Sequence, residues 1–140
     1  MLCLDDFYKD VDDPTLPRRG DQVDWESPLA WNAAAAVKTI ACLVKEGRAE
    51  VPVYAIEADR RVATRVLDLN GSPLFIAEGI FAAEIGEECR RRGLLVEAYA
   101  LRRPRVMTFF RRLLRDLGER RKSPTVLLRR GLTLLRSEST

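Results

Sequence analysis

Four short clusters hold most of the side chains able to do chemistry. Asp5-Asp6-Phe7-Tyr8 follows the apolar Leu2-Cys3-Leu4, so a strand would deliver a carboxylate and two aromatics into a loop. Pro52-Val53-Tyr54 and Arg60-Arg61 flank a predicted hairpin, and Ile76-Ala77-Glu78-Gly79 ends a second apolar run. Arg111-Arg112-Leu113-Leu114-Arg115-Asp116, followed by Glu119-Arg120, lies on an arginine-rich helix. Carboxylates at strand ends, flat aromatics and clustered arginines together suit transfer of a phosphoryl group, which asks mainly for positioning and charge neutralisation. The chain has no histidine, so any mechanism that needs an imidazole base or ligand is excluded.

Those clusters need a core to hold them. At 140 residues and 46% apolar content, the chain suits one domain with a soluble core. No run of about 18 uncharged apolar residues exists, so a membrane-spanning helix is not expected. Met1-Leu2-Cys3-Leu4 runs straight into Asp5-Asp6, unlike a signal peptide. Cys3, Cys42 and Cys89 are isolated and lack metal-ligand spacing, which fits reduced core thiols and a cytoplasmic setting. Charge is uneven: from Arg102 to Thr140 there are 12 basic and 3 acidic residues, against 12 and 18 before it. A basic segment of this kind implies an anionic partner. Nucleotide phosphates fit better than nucleic acid, since no aromatics interleave on the arginine face.

The pattern along the chain predicts an α/β layered protein in the order β-α-β-β-β-α-β-α-α. Residues 1–5 read as a buried strand, and the turn-rich stretch from Asp12 to Asp21 as loop. Ser27-Pro28 reads as a helix start, with the helix running through Ala33–Ala36 to Lys45 or Glu46 and stopping at Gly47. Val51–Ala55 and Val62–Leu69 read as two strands, and Asn70-Gly71 as a tight turn. Pro73–Ala77 reads as a strand buried on both faces, followed by a helix over 82–92 closed by Gly93 and a strand over 94–101. Val106, Phe109, Phe110, Leu113, Leu114 and Leu117 form a core stripe on the next helix, and Ser123-Pro124 starts a last one.

In order and spacing, the four clusters resemble the uridine kinase family of P-loop nucleoside kinases. That family carries an Asp-x-Phe-Tyr loop, a Pro-Val-Tyr hairpin, a Glu-Gly after an apolar strand and an Arg-Arg-x-x-Arg-Asp lid helix. The resemblance covers essentially all 140 residues. It implies a parallel sheet flanked by helices with an inserted nucleoside-side hairpin at 50–70 and a lid helix at 104–122. It also implies ATP as co-substrate, Mg²⁺ and a nucleoside acceptor. On that footing Asp5 is the base and a Mg²⁺-side carboxylate facing the 5′-hydroxyl, and Glu78 acts through the Mg²⁺ shell. Tyr8 and Tyr54 pack on a pyrimidine through their faces and hydroxyls, Glu26 holds the ribose, and Arg61 fixes the nucleoside. Arg111, Arg112 and Arg115 close over the phosphates, Arg111 and Arg115 sharing one helix face.

Three positions depart from the family's pattern. Asp59 stands where many members carry a hairpin histidine, and Ala55 follows Pro-Val-Tyr in place of an Asp. No Gly-x-x-x-x-Gly-Lys-Ser/Thr occurs in the chain, although such a loop supplies the backbone cradle for the β and γ phosphates. The expectation is therefore an incomplete domain lacking the first strand and phosphate loop, with little activity alone. A non-catalytic remnant or interaction protein is the alternative. Pantothenate kinase and phosphoribulokinase are runners-up for the acceptor, and self-association is left open.

Overall fold

The computed structural model describes residues 1–101, and the structural statements below concern these. The chain groups into two compact units, Met1–Tyr99 and Ala100–Thr140. The elements of the first unit are β1 (Leu2–Cys3), β2 (Arg18–Arg19), β3 (Gln22–Val23), α1 (Ala33–Glu46), β4 (Arg48–Ala55), β5 (Arg60–Asp68), β6 (Ala77–Glu78) and α2 (Gly86–Arg91). Single 3-10 turns cover Leu4–Phe7, Pro28–Ala30 and Ala82–Ile85. The architecture is mixed α/β. The arginine-rich helix expected at 104–122, with Arg111, Arg112 and Arg115, lies outside the described residues, as does the helix expected after Ser123.

Each of the three sheets has two strands. β1 and β6 pair in parallel, while β2–β3 and β4–β5 are antiparallel. The β4–β5 hairpin is the largest, running from Arg48↔Asp68 to Ala55↔Arg60. α1 packs across the base of the unit and buries Ala36, Val37, Ile40 and Leu43, one stripe at helical spacing. Leu2, Leu4 and Phe7 from the N-terminal segment, Val51 from β4, and Phe81, Ile85 and Cys89 meet that stripe to make one core. Among the described residues no helix is long and apolar enough to cross a membrane.

Several boundaries differ from the sequence reading. α1 begins at Ala33 rather than at Pro28, because Ser27 caps only the 3-10 turn that follows it. Asn32 then caps the helix proper, its side chain accepting the Ala35 N–H. The interruption lets Trp31 turn its indole into the core. At the far end Gly47 closes α1 in the left-handed conformation, φ 72°, as its position predicts. The expected loop over 12–21 contains the first strand of the small β2–β3 hairpin.

Two expected strands are corrected. Only Ala77–Glu78 of the apolar 73–77 run and its flank is strand, and Leu74 and Ile76 are 64% and 68% exposed. Its partner sets the limit. β1 gives way to a 3-10 turn at Leu4, so only Leu2 and Cys3 are available, pairing with Ala77 and Glu78. Upstream the chain is still turning, with Ser72 Oγ donating to the Leu74 carbonyl at 2.8 Å. The segment 94–101 makes no strand either. Leu94 and Leu95 pack on the core, but Val96 is 83% exposed and no described edge pairs with it. A short apolar run does not by itself establish a strand.

Candidate functional site

The parallel pair β1–β6 brings the first and third clusters together. Glu78 lies opposite Cys3, and Asp5 follows two residues later in the 3-10 turn. The chain after β6 wraps over that turn, and Asp5 Oδ1 accepts the Ile80 N–H at 3.0 Å across 75 residues of sequence. This crossing needs a glycine. A Cβ on Gly79 would sit 2.7 Å from Leu4 Cβ and 2.8 Å from Asp5 Oδ1. Asp5 and Glu78 are both exposed, so both carboxylates face solvent at the carboxyl ends of parallel strands. In open α/β sheets that is where ligands usually bind.

Tyr8 is the hub of an aromatic group beside this end. Its ring centroid lies 6.0 Å from Trp25, 5.9 Å from Tyr54 and 5.8 Å from Phe81. The second cluster therefore joins the first, as the hairpin brings Tyr54 against Tyr8. Both phenolic hydroxyls are engaged: Tyr8 donates to the Trp25 carbonyl at 3.2 Å, and Tyr54 to the Lys9 carbonyl at 3.2 Å. A ligand at this group would meet ring faces and edges more than hydroxyl donors. The Tyr54 phenol is pushed up to about 12, mainly by burial, with the Asp59 and Asp10 charges and Tyr8 adding to it.

Two residues that sequence reasoning passed over hold the hairpin in place. β4 and β5 slip register between Val53 and Tyr54, leaving one extra residue, Val62, in β5. At the slip Asp6 Oδ1 accepts the Tyr54 N–H at 3.1 Å. Asp10 Oδ1 accepts the Arg61 N–H at 2.7 Å, so Arg61 joins the loop through its backbone. The only advance signal was that Asp6 and Asp10 flank the aromatic motif. Trp25 and Phe81 were missed for the same reason, since nothing in a sequence shows that they will surround Tyr8.

Glu26 is exposed in the turn beside Trp25, whose ring meets Tyr8. Arg111, Arg112 and Arg115 lie outside the described residues. Among the described residues, no group of three or more His, Cys, Asp or Glu gathers to hold a metal. Mg²⁺ nevertheless commonly takes only one or two carboxylates, completing its shell with water and phosphate oxygens. Asp5 and Glu78, two exposed hard-oxygen donors, fit that chemistry. The surface hollows lie elsewhere. One, of about 410 Å³, runs between α1 and the segment Glu84–Arg92, and another surrounds Phe75 and Leu69. Both are open, and of the clusters only Ile76 lines either of them, whereas the chemistry-bearing side chains converge at Asp5. Burial raises the Cys3 and Cys89 thiols above the ordinary thiol value, which lowers their thiolate fraction.

Comparison with known proteins adds no assignment. No family model matches the chain, and no curated protein matches it at a significant level.

Proposed function

We propose that this chain provides the acceptor side of an ATP-dependent kinase that phosphorylates the 5′-hydroxyl of a pyrimidine nucleoside. The observation that carries the reading is the presentation of Asp5. One carboxylate oxygen is held by the Ile80 N–H, and the residue stands at a parallel-strand end next to the Tyr8–Tyr54 aromatic group. In this reading the acceptor oxygen attacks the γ-phosphorus of ATP, the bond to the β-phosphate oxygen breaks, and ADP leaves. Asp5 takes the hydroxyl proton. Tyr8 and Tyr54 lie along the flat base, and Glu26 and Arg61 attend the ribose end. By the resemblance alone, Arg111, Arg112 and Arg115 would be the side chains that neutralise charge on a transferring phosphoryl group. Asp5 and Glu78 would hold Mg²⁺, which when bound shields the phosphate charge.

Nucleoside binding needs only the acceptor side, so it is the first readout. Trp25 borders the site and reports by fluorescence. Uridine or cytidine is expected to change the emission saturably, and Tyr8→Ala should weaken binding about tenfold, as loss of one base–aromatic stack implies. Asp5→Asn should leave binding nearly unchanged. If neither nucleoside binds, the reading is wrong. Uridine-dependent ADP release with Mg-ATP then tests the transfer step itself.

A further inference from the structure

The amides that Asp6 and Asp10 accept belong to one cross-strand pair. Tyr54 in β4 and Arg61 in β5 are register partners. Their two N–H groups go to Asp6 Oδ1 at 3.1 Å and Asp10 Oδ1 at 2.7 Å. The segment from Asp6 to Val11 follows the hairpin tip and bonds to it again twice. Tyr54 donates its hydroxyl to the Lys9 carbonyl at 3.2 Å, and Val11 N–H donates to the Asp59 carbonyl at 2.8 Å. Asp59 itself has a left-handed φ of 50°, which belongs to the tight turn that aims its carbonyl at the loop. A register slip leaves backbone groups without ladder partners, and side chains or water must then satisfy them. Here the satisfying groups are supplied by the segment that also carries Asp5 and Tyr8.

We propose that Asp6 and Asp10 form a clasp that sets where the hairpin stands over the acceptor loop. Through Tyr54 they are positioning residues for the nucleoside base, a role that rests on the kinase reading above. Because each carboxylate serves as a hydrogen-bond acceptor, an amide that keeps the oxygen can replace it and an alanine cannot. At that slip the Tyr54 N–H is bonded to Asp6 Oδ1. The clasp therefore couples the second cluster to the first, and the Tyr8–Tyr54 ring contact at 5.9 Å depends on it.

The test compares Asp6→Ala, Asp6→Asn, Asp10→Ala and Asp10→Asn with the parent chain by two readouts. The first is amide exchange at Tyr54 and Arg61, together with the proton contact between the Tyr8 and Tyr54 rings. The alanine variants are expected to speed exchange at the matching amide about tenfold or more and weaken the ring contact. The asparagine variants should stay within about twofold of the parent. Continued protection of amides in the basal half of the hairpin, Arg48–Val51, shows that each variant is folded. The second readout is the uridine dissociation constant, expected to rise about tenfold in Asp6→Ala and to be restored in Asp6→Asn. Unchanged exchange and ring contact in both alanine variants would overturn the clasp. Altered exchange with unchanged uridine affinity would overturn its role in positioning the base. A parent chain that binds no nucleoside overturns the kinase reading, and with it the positioning role. The exchange data then still decide whether the clasp exists.

Discussion

Trp31 donates its indole N–H to the carbonyl of Leu4 at 2.6 Å, inside the core. The bond ties the residue before the helix cap to the turn that presents Asp5, and the two are 27 residues apart. Trp31→Phe keeps an aromatic ring against Phe81 but removes the indole bond to the Leu4 carbonyl. Loss of one such hydrogen bond costs about 0.5–1.5 kcal/mol. Urea unfolding of Trp31→Phe should show a loss in that range, and an unchanged midpoint would mean water reaches the carbonyl.

Gly79 and Gly47 should fail for different reasons when replaced by alanine. At Gly79 the new methyl would strike Leu4 Cβ at 2.7 Å and the Asp5 carboxylate at 2.8 Å. Overpacking of that kind costs about 1–3 kcal/mol, and it should also weaken the Asp5–Ile80 bond. Amide exchange at Ile80 should therefore rise in Gly79→Ala beyond what the global loss explains.

At Gly47 a Cβ meets nothing within 4 Å, but φ is 72°. The cost there is conformational alone, about 1–2 kcal/mol for an L-residue held in the left-handed region. Gly47→Asn should recover part of it, since Asn tolerates that region better. Thermal unfolding of the two variants separates the cases.

Alkaline pH should weaken the fold through Tyr54. An ordinary phenol titrates near 10 and this one at about 12, raised first by burial and then by Asp59, Asp10 and Tyr8. Between those values the unfolded chain has lost a proton that the folded chain keeps. Stability from this group is thus complete below about pH 10 and disappears as pH rises through about 12. Tyr54→Phe should remove that part of the alkaline slope. Asp59→Asn should lower the folded titration, as followed by phenolate absorbance. A Tyr54 titration at the ordinary value would show that the hairpin does not shelter it.

The residues that encode local structure were legible in the sequence. The alanine run from Ala33 and the stop at Gly47 identify α1, and Asn70-Gly71 turns as its composition requires, with both residues at positive φ. The hairpin strands start three and two residues earlier than expected, at Arg48 and Arg60. Ala55 ends β4 as expected, and β5 ends at Asp68, one residue before the expected Leu69. What could not be read depends on partners distant in sequence. Ser27-Pro28 has every mark of a helix start, yet Asn32 takes that role because Trp31 has to reach Leu4. Leu74 and Ile76 look like an inner strand, but β1 is too short to pair with them. Asp5, Tyr8, Tyr54 and Glu78 were legible as chemistry because motifs mark them. Asp6 and Asp10 were not, because their partners are the backbone amides of a strand slip 48 and 51 residues away.

The Asp5–Ile80 bond also orders events in time. Asp5 is synthesised before its amide partner, which appears 75 residues later. Until then Leu2 and Cys3 have no strand to join, while α1 and the β4–β5 hairpin, whose contacts are closer in sequence, can already form. Closing so long a segment carries an entropic penalty that helix and hairpin formation beforehand would shorten. The Asp5 carboxylate is thus held only once the chain has reached Ile80, and a chain released before Gly79 would carry the acceptor motif without the crossing that holds Asp5 in place.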